Sequence, residues 1–157
     1  MRPTGASREA LDPGEWFGEI DIYLFDQVRK GRIPAGSRIL DAGCGNGRNL
    51  RYFLLRGDDV HAVDLSLSSV AYVKELAHEL APDLSEDHFR VEPVEKLSYD
   101  DSSFDAVISS AVLHFAKDEE HFDRMMTEMW RVMRPGGVFF ARLSTTIGME
   151  RLLVPLG

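Results

Sequence analysis

Three alternating glycines follow an acid in the run Asp41-Ala42-Gly43-Cys44-Gly45-Asn46-Gly47. A glycine at every second position lets the backbone turn sharply, and it lets a ligand lie against main-chain N–H groups without a Cβ in the way. Such a loop between a strand and a helix is typical of nucleotide-binding sites. The run therefore predicts that a nucleotide-like ligand binds here.

The residues around the glycines indicate which kind of nucleotide. A dinucleotide-binding loop needs a glycine at position 48, where this chain has Arg48, and a Gly-Lys-Ser/Thr phosphate-binding loop is absent. Asp41 brings a carboxylate to the ligand, and a carboxylate repels pyrophosphate but attracts a cation. We therefore expect an adenosyl group with an amino-acid tail. A dinucleotide is disfavoured.

A second acid, Asp64, ends the apolar run 60–63 and is followed by Leu65 and Ser66. An acid at the end of the second strand of a βαβ unit can accept hydrogen bonds from both hydroxyls of a ribose. Asp64 is therefore the predicted ribose ligand.

The pattern Asp41-x-Gly43-x-Gly45-x-Gly47 resembles motif I of the class I S-adenosylmethionine-dependent methyltransferases. The resemblance covers about residues 33–143, because 104–110 is similar to the fourth strand of that family and 134–137 to the turn before the fifth. It implies S-adenosyl-L-methionine as cofactor and S-adenosyl-L-homocysteine as product. The cofactor-binding residues that it implies are Asp41, Ala42, Gly43, Cys44, Gly45, Gly47, Asn49, Asp64, Leu65, Val94, Glu95, Ser109 and Ser110.

The chain departs from the family beside the adenine. The family has Asp-Ala/Val-Glu there, whereas this chain has Pro93-Val94-Glu95. Proline has neither a carboxylate nor an N–H, so the usual contact to the adenine amino group is missing, and Glu92 and Glu95 are the candidates to replace it. The backbone N–H of Val94 remains available.

The acceptor is expected to be a small molecule. Gly47-Arg48-Asn49 resembles the small bacterial tellurite- and thiopurine-type methyltransferases, and Ser109 and Ser110 leave room beside the cofactor. The Asn/Asp-Pro-Pro-Tyr/Phe signature of enzymes that methylate adenine or glutamine nitrogen is absent after the fourth strand. His114 is a candidate base, but no catalytic residue is identified, and a soft acceptor needs none.

Two other functions stay open. One is a non-catalytic sensor or partner subunit that binds S-adenosylmethionine. The other is an NAD(P)-dependent oxidoreductase, which Arg48 and Asp41 disfavour.

Composition excludes several classes. The 157 residues carry a net charge of −8 and no basic run, which disfavours nucleic acid as a partner. No apolar run approaches the roughly 20 residues that span a bilayer. The single cysteine fits a reducing cytoplasm, and the histidines show no metal-ligand spacing, so no metal site is predicted.

Strands and helices alternate along the chain, which predicts a Rossmann-like, doubly wound, mostly parallel α/β sheet. The predicted strands are 38–42, 59–64, 89–94, 106–110 and 137–143, and the predicted helices are 15–30, 49–56, 67–80 and 119–133. Residues 1–14 are expected to be a flexible lead-in, and 15–157 to be one methyltransferase domain.

The two ends of the predicted domain carry further expectations. The family sheet has seven strands, but only 14 residues follow Leu143, so the last two strands are expected to be missing from a C-terminally truncated domain. Alternatively, the edge of strand five is covered by another chain, as in a homodimer. At the other end, helix 15–30 carries Trp16, Phe17 and Tyr23, which are expected either to close the cavity as a lid or to pack on the sheet.

Overall fold

The fold is built on a five-stranded parallel sheet. A computed structural model describes residues 12–144. Residues 1–11 of the expected lead-in and residues 145–157 of the expected methyltransferase domain lie outside this part. The strands are β1 (Arg38–Ala42), β2 (Asp59–Asp64), β3 (Phe89–Val91), β4 (Phe104–Ser110) and β5 (Met133–Arg142), and their order in the sheet is β3-β2-β1-β4-β5. All four neighbouring pairs are parallel. The predicted Rossmann-like α/β fold is confirmed.

Residues 12–144 contain five α-helices. They are α1 (Pro13–Phe17), α2 (Ile22–Arg29), α3 (Arg51–Arg56), α4 (Leu67–Leu80) and α5 (Glu119–Val132). Helices α2 to α5 cover the two faces of the sheet, and α1 packs against α3. The single helix predicted over 15–30 is wrong, because Gly18 adopts φ +55° and Asp21 caps a second helix. Pro13 and Gly14, expected in the lead-in, belong to α1, which Asp12 caps. No helix within 12–144 is long and apolar enough to cross a membrane.

Alternate residues of each strand feed two separate cores, as the period of a strand requires. Ile39 and Val60 face one side and contribute to a core with α2, α3 and α4, while Leu40 and Val63 face the other side and contribute to a core with α5. All four side chains are fully buried. Burial on both faces places β1 and β2 at the centre of the sheet.

Strand β3 is shorter than predicted, because it ends at Val91 and leaves Pro93 in the turn that follows. Arg131 of α5 fixes the chain beyond this turn. Its guanidinium donates to the carbonyl oxygens of Leu97 (3.0 Å) and Tyr99 (2.9 Å) and forms an ion pair with Glu128 (2.8 Å). These contacts of Arg131 hold the segment after β3 against α5 and thereby position residues 94–95.

Strand β5 begins earlier than predicted and is the outer strand on its side of the described sheet. Met133 pairs with Phe104 and Val138 with Ala106, so the Arg134–Gly137 turn lies within β5 as an irregularity. Phe139 remains half-buried, and Trp130 of α5, 6.0 Å from it between ring centroids, is 60% exposed.

Candidate functional site

A cavity of about 450 Å³ lies at the carboxyl ends of β1, β2 and β4. Its size is typical of small-molecule sites, and open α/β sheets bind ligands at this end of their strands. The wall is formed by Asp41, Gly43, Cys44, Gly45, Asn46, Arg48, Asn49, Asp64, Leu65, Glu92, Val94, Glu95, Ser110, Ala111, Val112, Phe115, Lys117, His121 and Met125.

The glycine loop is pinned to the end of β2. The N–H groups of Gly43 and Cys44 both donate to the carbonyl oxygen of Val63, at 2.8 and 3.0 Å. Gly43 adopts φ +82°, and a Cβ there would lie 2.5 Å from Cγ2 of Val112. Only glycine fits this position, because any side chain would be strained and would collide with the loop after β4.

Asp64 joins the loop to the start of α4. One carboxylate oxygen accepts from the N–H of Gly45 and the other from the N–H of Ser66, both at 2.8 Å. Each oxygen of an ionised carboxylate has a second lone pair, and the side chain lines the cavity. The carboxylate is therefore held rigidly with acceptor capacity to spare.

Asp41 is a buried acid, 2% exposed, at the end of β1. No Lys or Arg nitrogen of residues 12–144 lies within ion-pair distance of it. Burial and the neighbouring Asp64 raise the pKa of Asp41 to about 7, although Arg48 acts in the opposite direction. A cationic group in the cavity would favour the charged form of this carboxyl.

The thiol of Cys44 lies inside the same acidic surroundings. Burial, Asp41 and Asp64 raise its pKa far above the ordinary value. The thiol is therefore protonated at neutral pH and contributes to the shape of the loop, not to a nucleophilic reaction.

Glu95 and His121 form the opposite wall. Nδ1 of His121 accepts from the N–H of Lys117 at 3.1 Å, and Nε2 lies 3.2 Å from Oε1 of Glu95. Burial opposes ionisation of Glu95, but its backbone N–H and His121 lower its pKa. Glu95 is therefore a charged acid in the cavity.

Of the two acids expected to replace the missing aspartate, Glu92 is already engaged. It accepts from the hydroxyl and the N–H of Ser98, at 2.7 and 3.3 Å. Pro93 itself does not contribute to the wall. Glu95 is therefore the better placed of the two.

Most of the residues predicted from the sequence meet at this cavity. Those in its wall are Asp41, Gly43, Cys44, Gly45, Asn49, Asp64, Leu65, Val94, Glu95 and Ser110. Ala42 and Ser109 are fully buried behind the wall, and Gly47 faces α4, where a Cβ would lie 2.9 Å from Cγ2 of Val73. These three lie behind the wall, and their contact with the cofactor stays a prediction.

The part of the wall that follows β4 was not predicted from the sequence. Ala111, Val112, Phe115, Lys117 and His121 come from the loop after this strand and the first turn of α5. The rule that ligands bind at the carboxyl ends of parallel strands was the available signal for them.

Two expected contributors lie elsewhere. His114, the candidate base, is exposed and outside the wall. Trp16, Phe17 and Tyr23 are also outside it, and Phe17 packs against Phe25 and Tyr52 at 4.4 and 5.3 Å between ring centroids. Phe17 and Phe25 thus pack against Tyr52 of α3, whereas Tyr23 is 66% exposed.

A different cluster lies at the amino end of β2. Asp59 Oδ1 is 3.1 Å from Nε2 of His61 and 3.4 Å from Nδ1 of His88, and Nε of Arg38 is 3.2 Å from Asp59 Oδ2. The two imidazole rings stack at 3.9 Å with 14° between their planes. A metal ion bonds in the plane of an imidazole at about 2 Å, so two stacked rings cannot both ligate one ion. This cluster is a hydrogen-bonded network around the Arg38–Asp59 ion pair.

The chain matches known proteins over the region that builds the cavity. A family model described as a methyltransferase domain matches residues 40–141, from the end of β1 to the end of β5. The chain belongs to the class I S-adenosylmethionine-dependent methyltransferases. The predicted family and its cofactor are thereby confirmed.

Among curated relatives, the methyltransferase domain is similar to the malonyl-[acyl-carrier protein] O-methyltransferase of Salmonella typhimurium. The two are 35% identical over 102 residues, which cover 64% of this chain and 36% of that protein. The chain therefore spans little more than a third of the length of that relative.

Solved structures show the same domain. The 1,6-didemethyltoxoflavin-N1-methyltransferase of Burkholderia thailandensis, with bound 1,6-didemethyltoxoflavin and S-adenosylhomocysteine, is 28% identical with a TM-score of 0.59, covering 74% of this chain and 47% of that one. The [4+2]-cyclase SpnF is 29% identical with a TM-score of 0.59, covering 74% of this chain and 42% of that one.

Proposed function

We propose that this domain binds S-adenosyl-L-methionine in the 450 Å³ cavity and transfers the methyl group to a small-molecule acceptor. One observation carries the proposal. Asp41 and Asp64 both face the cavity, and neither forms an ion pair with a cation of residues 12–144. Asp41 is buried, and a buried acid without a cationic partner is costly. It matches a ligand that carries positive charge on its amino-acid tail.

Each part of the cofactor has a group on the wall that would hold it. Asp64 would accept hydrogen bonds from the ribose hydroxyls, and Asp41 would attract the ammonium group. At the far wall, Glu95 would accept from the adenine amino group in place of Pro93. The bound cofactor supplies a methyl group already activated by its sulfonium.

The role of the protein is then to align the acceptor and to exclude water. Val112, Phe115 and Met125 supply apolar surface to the wall, and positioning alone can contribute roughly 7–11 kcal/mol to a barrier. His114 is exposed outside the wall. His121 lies in the wall but already contacts the N–H of Lys117 and the carboxylate of Glu95. The acceptor is therefore expected to be nucleophilic at neutral pH without a protein base. A thiolate or a carboxylate meets this condition.

Calorimetry with three ligands tests the binding step. S-adenosylmethionine and S-adenosylhomocysteine should bind, whereas NADH should not. Tighter binding of NADH, or binding of none of the three, would contradict the proposal. Release of S-adenosylhomocysteine across a panel of thiols, phenols and carboxylic acids then tests transfer.

A second function uses the same cavity without methyl transfer. It is supported by the similarity to a cyclase of this fold, 29% identical to this chain. Tight binding of S-adenosylmethionine with no product from any acceptor would favour this role, as a sensor or a partner subunit.

We also propose a homodimer that pairs through the outer edge of β5. The half-buried Phe139 and the exposed Trp130 support an apolar contact at this edge, and an open strand edge readily pairs with another strand. Light scattering coupled to size exclusion should give the mass of a dimer. The mass of a single chain at all concentrations would contradict the pairing.

A further inference from the structure

A second, more open cavity of about 550 Å³ adjoins the first. Its wall is formed by Arg48, Ala111, Arg142, Leu143 and Ser144. Arg48 and Ala111 belong to the walls of both cavities. A molecule in the second cavity would therefore reach the border of the cofactor cavity.

Two arginines dominate this second wall, and they share one acid. Nη1 of Arg142 lies 2.6 Å from Oδ2 of Asp21, and Nη2 of Arg48 lies 3.7 Å from the same oxygen. Arg48 also donates to the hydroxyl of Ser110 at 3.1 Å. Burial opposes ionisation of Asp21, but Arg142 and the N–H groups that start α2 lower its pKa. Two positive charges therefore face one negative charge.

Ordered contacts hold the two arginines in place. The N–H of Ala111 donates to the carbonyl oxygen of Arg142 at 2.7 Å, and Oδ1 of Asn49 accepts from the N–H of Asp21 at 2.9 Å. Ala111 adopts φ +61°, a strained conformation that residues other than glycine mostly show at functional sites. The side chains of Arg48 and Arg142 are still 38% and 53% exposed.

The donors of these arginines are only partly used. A guanidinium carries five N–H groups, and the contacts within residues 12–144 engage one nitrogen of each, Nη2 of Arg48 and Nη1 of Arg142. The remaining donors are able to receive a planar carboxylate or a phosphate.

The two cavities differ in the balance of their charges. Four acids (Asp41, Asp64, Glu92, Glu95) outnumber Arg48 and Lys117 in the wall of the first, whereas the charged residues in the wall of the second are Arg48 and Arg142. Resting on the proposed function, we propose that Arg48 and Arg142 bind an anionic group of the methyl acceptor, a carboxylate or a phosphate. The acceptor enters from the arginine side, and Ser110 and Ala111 mark the border between acceptor and cofactor.

The test measures anion binding by the protein saturated with S-adenosylhomocysteine. Malonate and inorganic phosphate are titrated at low ionic strength while the arginine Nε–H signals are followed by NMR. The signals of Arg48 and Arg142 should shift, and Arg142→Gln should weaken malonate binding about tenfold, as expected for a charge-assisted hydrogen bond. A stronger response to phosphate would assign the site to phosphorylated acceptors.

Arg134→Gln is the matched control. Arg134 lies on the same strand as Arg142, is 52% exposed, and also pairs with an aspartate, Asp105, at the opposite end of β5. Its substitution removes the same charge and should leave malonate binding unchanged. Should Arg142→Gln fail to fold, Arg142→Lys keeps the charge but loses the fork of donors, and it should still weaken malonate binding.

Failure of the proposed function and failure of the anion site give different results. If wild-type protein does not bind S-adenosylhomocysteine, the proposed function is wrong. If it binds S-adenosylhomocysteine but neither anion shifts Arg48 or Arg142, only the anion site is overturned. A loss of S-adenosylhomocysteine affinity in Arg48→Gln and Arg142→Gln, with malonate affinity retained, would instead assign both arginines to the cofactor.

Discussion

Acids at the two ends of the sheet differ in whether the protein supplies a cationic partner. At the amino ends of the strands, Asp59 pairs with Arg38 and Asp105 pairs with Arg134. At the carboxyl ends, Asp41 and Asp64 have no such partner within residues 12–144. The paired acids stabilise the fold, whereas we expect the acids that lack a cation to bind a ligand.

The two ends also differ in electrostatic free energy. At the amino end, the ion pairs of Asp59 and Asp105 offset the charges of these acids without any ligand. The carboxyl end instead stores an unfavourable charge, because Asp41 is buried and faces Asp64. Binding a cation there would recover part of this free energy.

The largest expected effect is a gain of stability in Asp41→Asn. The pKa of Asp41 is raised from 3.8 to about 7 in the folded protein, so the free energy of unfolding falls as pH rises from about 4 to 7. By pH 8 the loss reaches about 4 kcal/mol. Asparagine cannot ionise, so urea unfolding at pH 8 without ligand should show a more stable variant, with the difference vanishing near pH 4.

The same variant should bind S-adenosylmethionine more weakly, and more so at low salt than at high salt. Asp59→Asn, at the amino end, should lose stability, because Arg38 then loses its partner. Equal changes in both variants would break the contrast between the two ends.

The next effect belongs to His61. Burial and the neighbouring His88 lower the pKa of His61 to about 4, although Asp59 opposes this. Because the folded pKa lies below the unfolded value of 6.5, this group does not lower the free energy of unfolding above pH 6.5 and lowers it as pH falls toward 4. His61→Gln should flatten the pH profile of unfolding over this range and leave cofactor affinity unchanged.

Asp64→Ala should weaken S-adenosylmethionine and S-adenosylhomocysteine by about 1.5–3 kcal/mol, the range for hydrogen bonds to a charged group. The substitution also removes the acceptor that holds the N–H of Gly45. Asp59→Ala, at the other end of the same strand, should leave calorimetric affinities as they are. Unchanged affinity in a folded Asp64→Ala would contradict the ribose assignment.

The smallest effect separates two glycines on either side of β1. Gly36 and Gly43 adopt φ +83° and +82°, but a Cβ at Gly36 meets nothing within 4 Å. Alanine is strained equally at both, and only Gly43→Ala adds a collision, worth about 1–3 kcal/mol. Urea unfolding should show this difference, and only Gly43→Ala should lose S-adenosylhomocysteine. Equal destabilisation of both variants would argue against a tight loop.

Local patterns were enough to predict the centre of the molecule. The predicted bounds of β1, β2 and α4 agree with the structure. The signals for them are local: the apolar pattern of each element and, for α4, the N-cap Ser66. Asp41 and Asp64 were predicted to meet at the ligand because the carboxyl ends of parallel strands share one edge.

The misses depend on contacts between distant residues. No periodicity indicates that Arg142 reaches Asp21 or that His121 faces Glu95, since each pair joins separate elements. The contacts around Asp59 at the amino end were not predicted for the same reason. His61 and His88 come together only when β2 and β3 align.

Asp21 also joins parts of the chain that are far apart in sequence. It contacts Asn49 and Arg142, which lie 28 and 121 residues away along the chain. The longer contact closes a large loop at a cost in chain entropy, so we expect it to form late, after the first strands have paired. Arg142 leaves the ribosome well after Asp21 and Asn49, and until then Asp21 lacks its closest positive charge. The arginine-lined side is therefore completed last, and weakening this closure should accelerate unfolding far more than it slows folding.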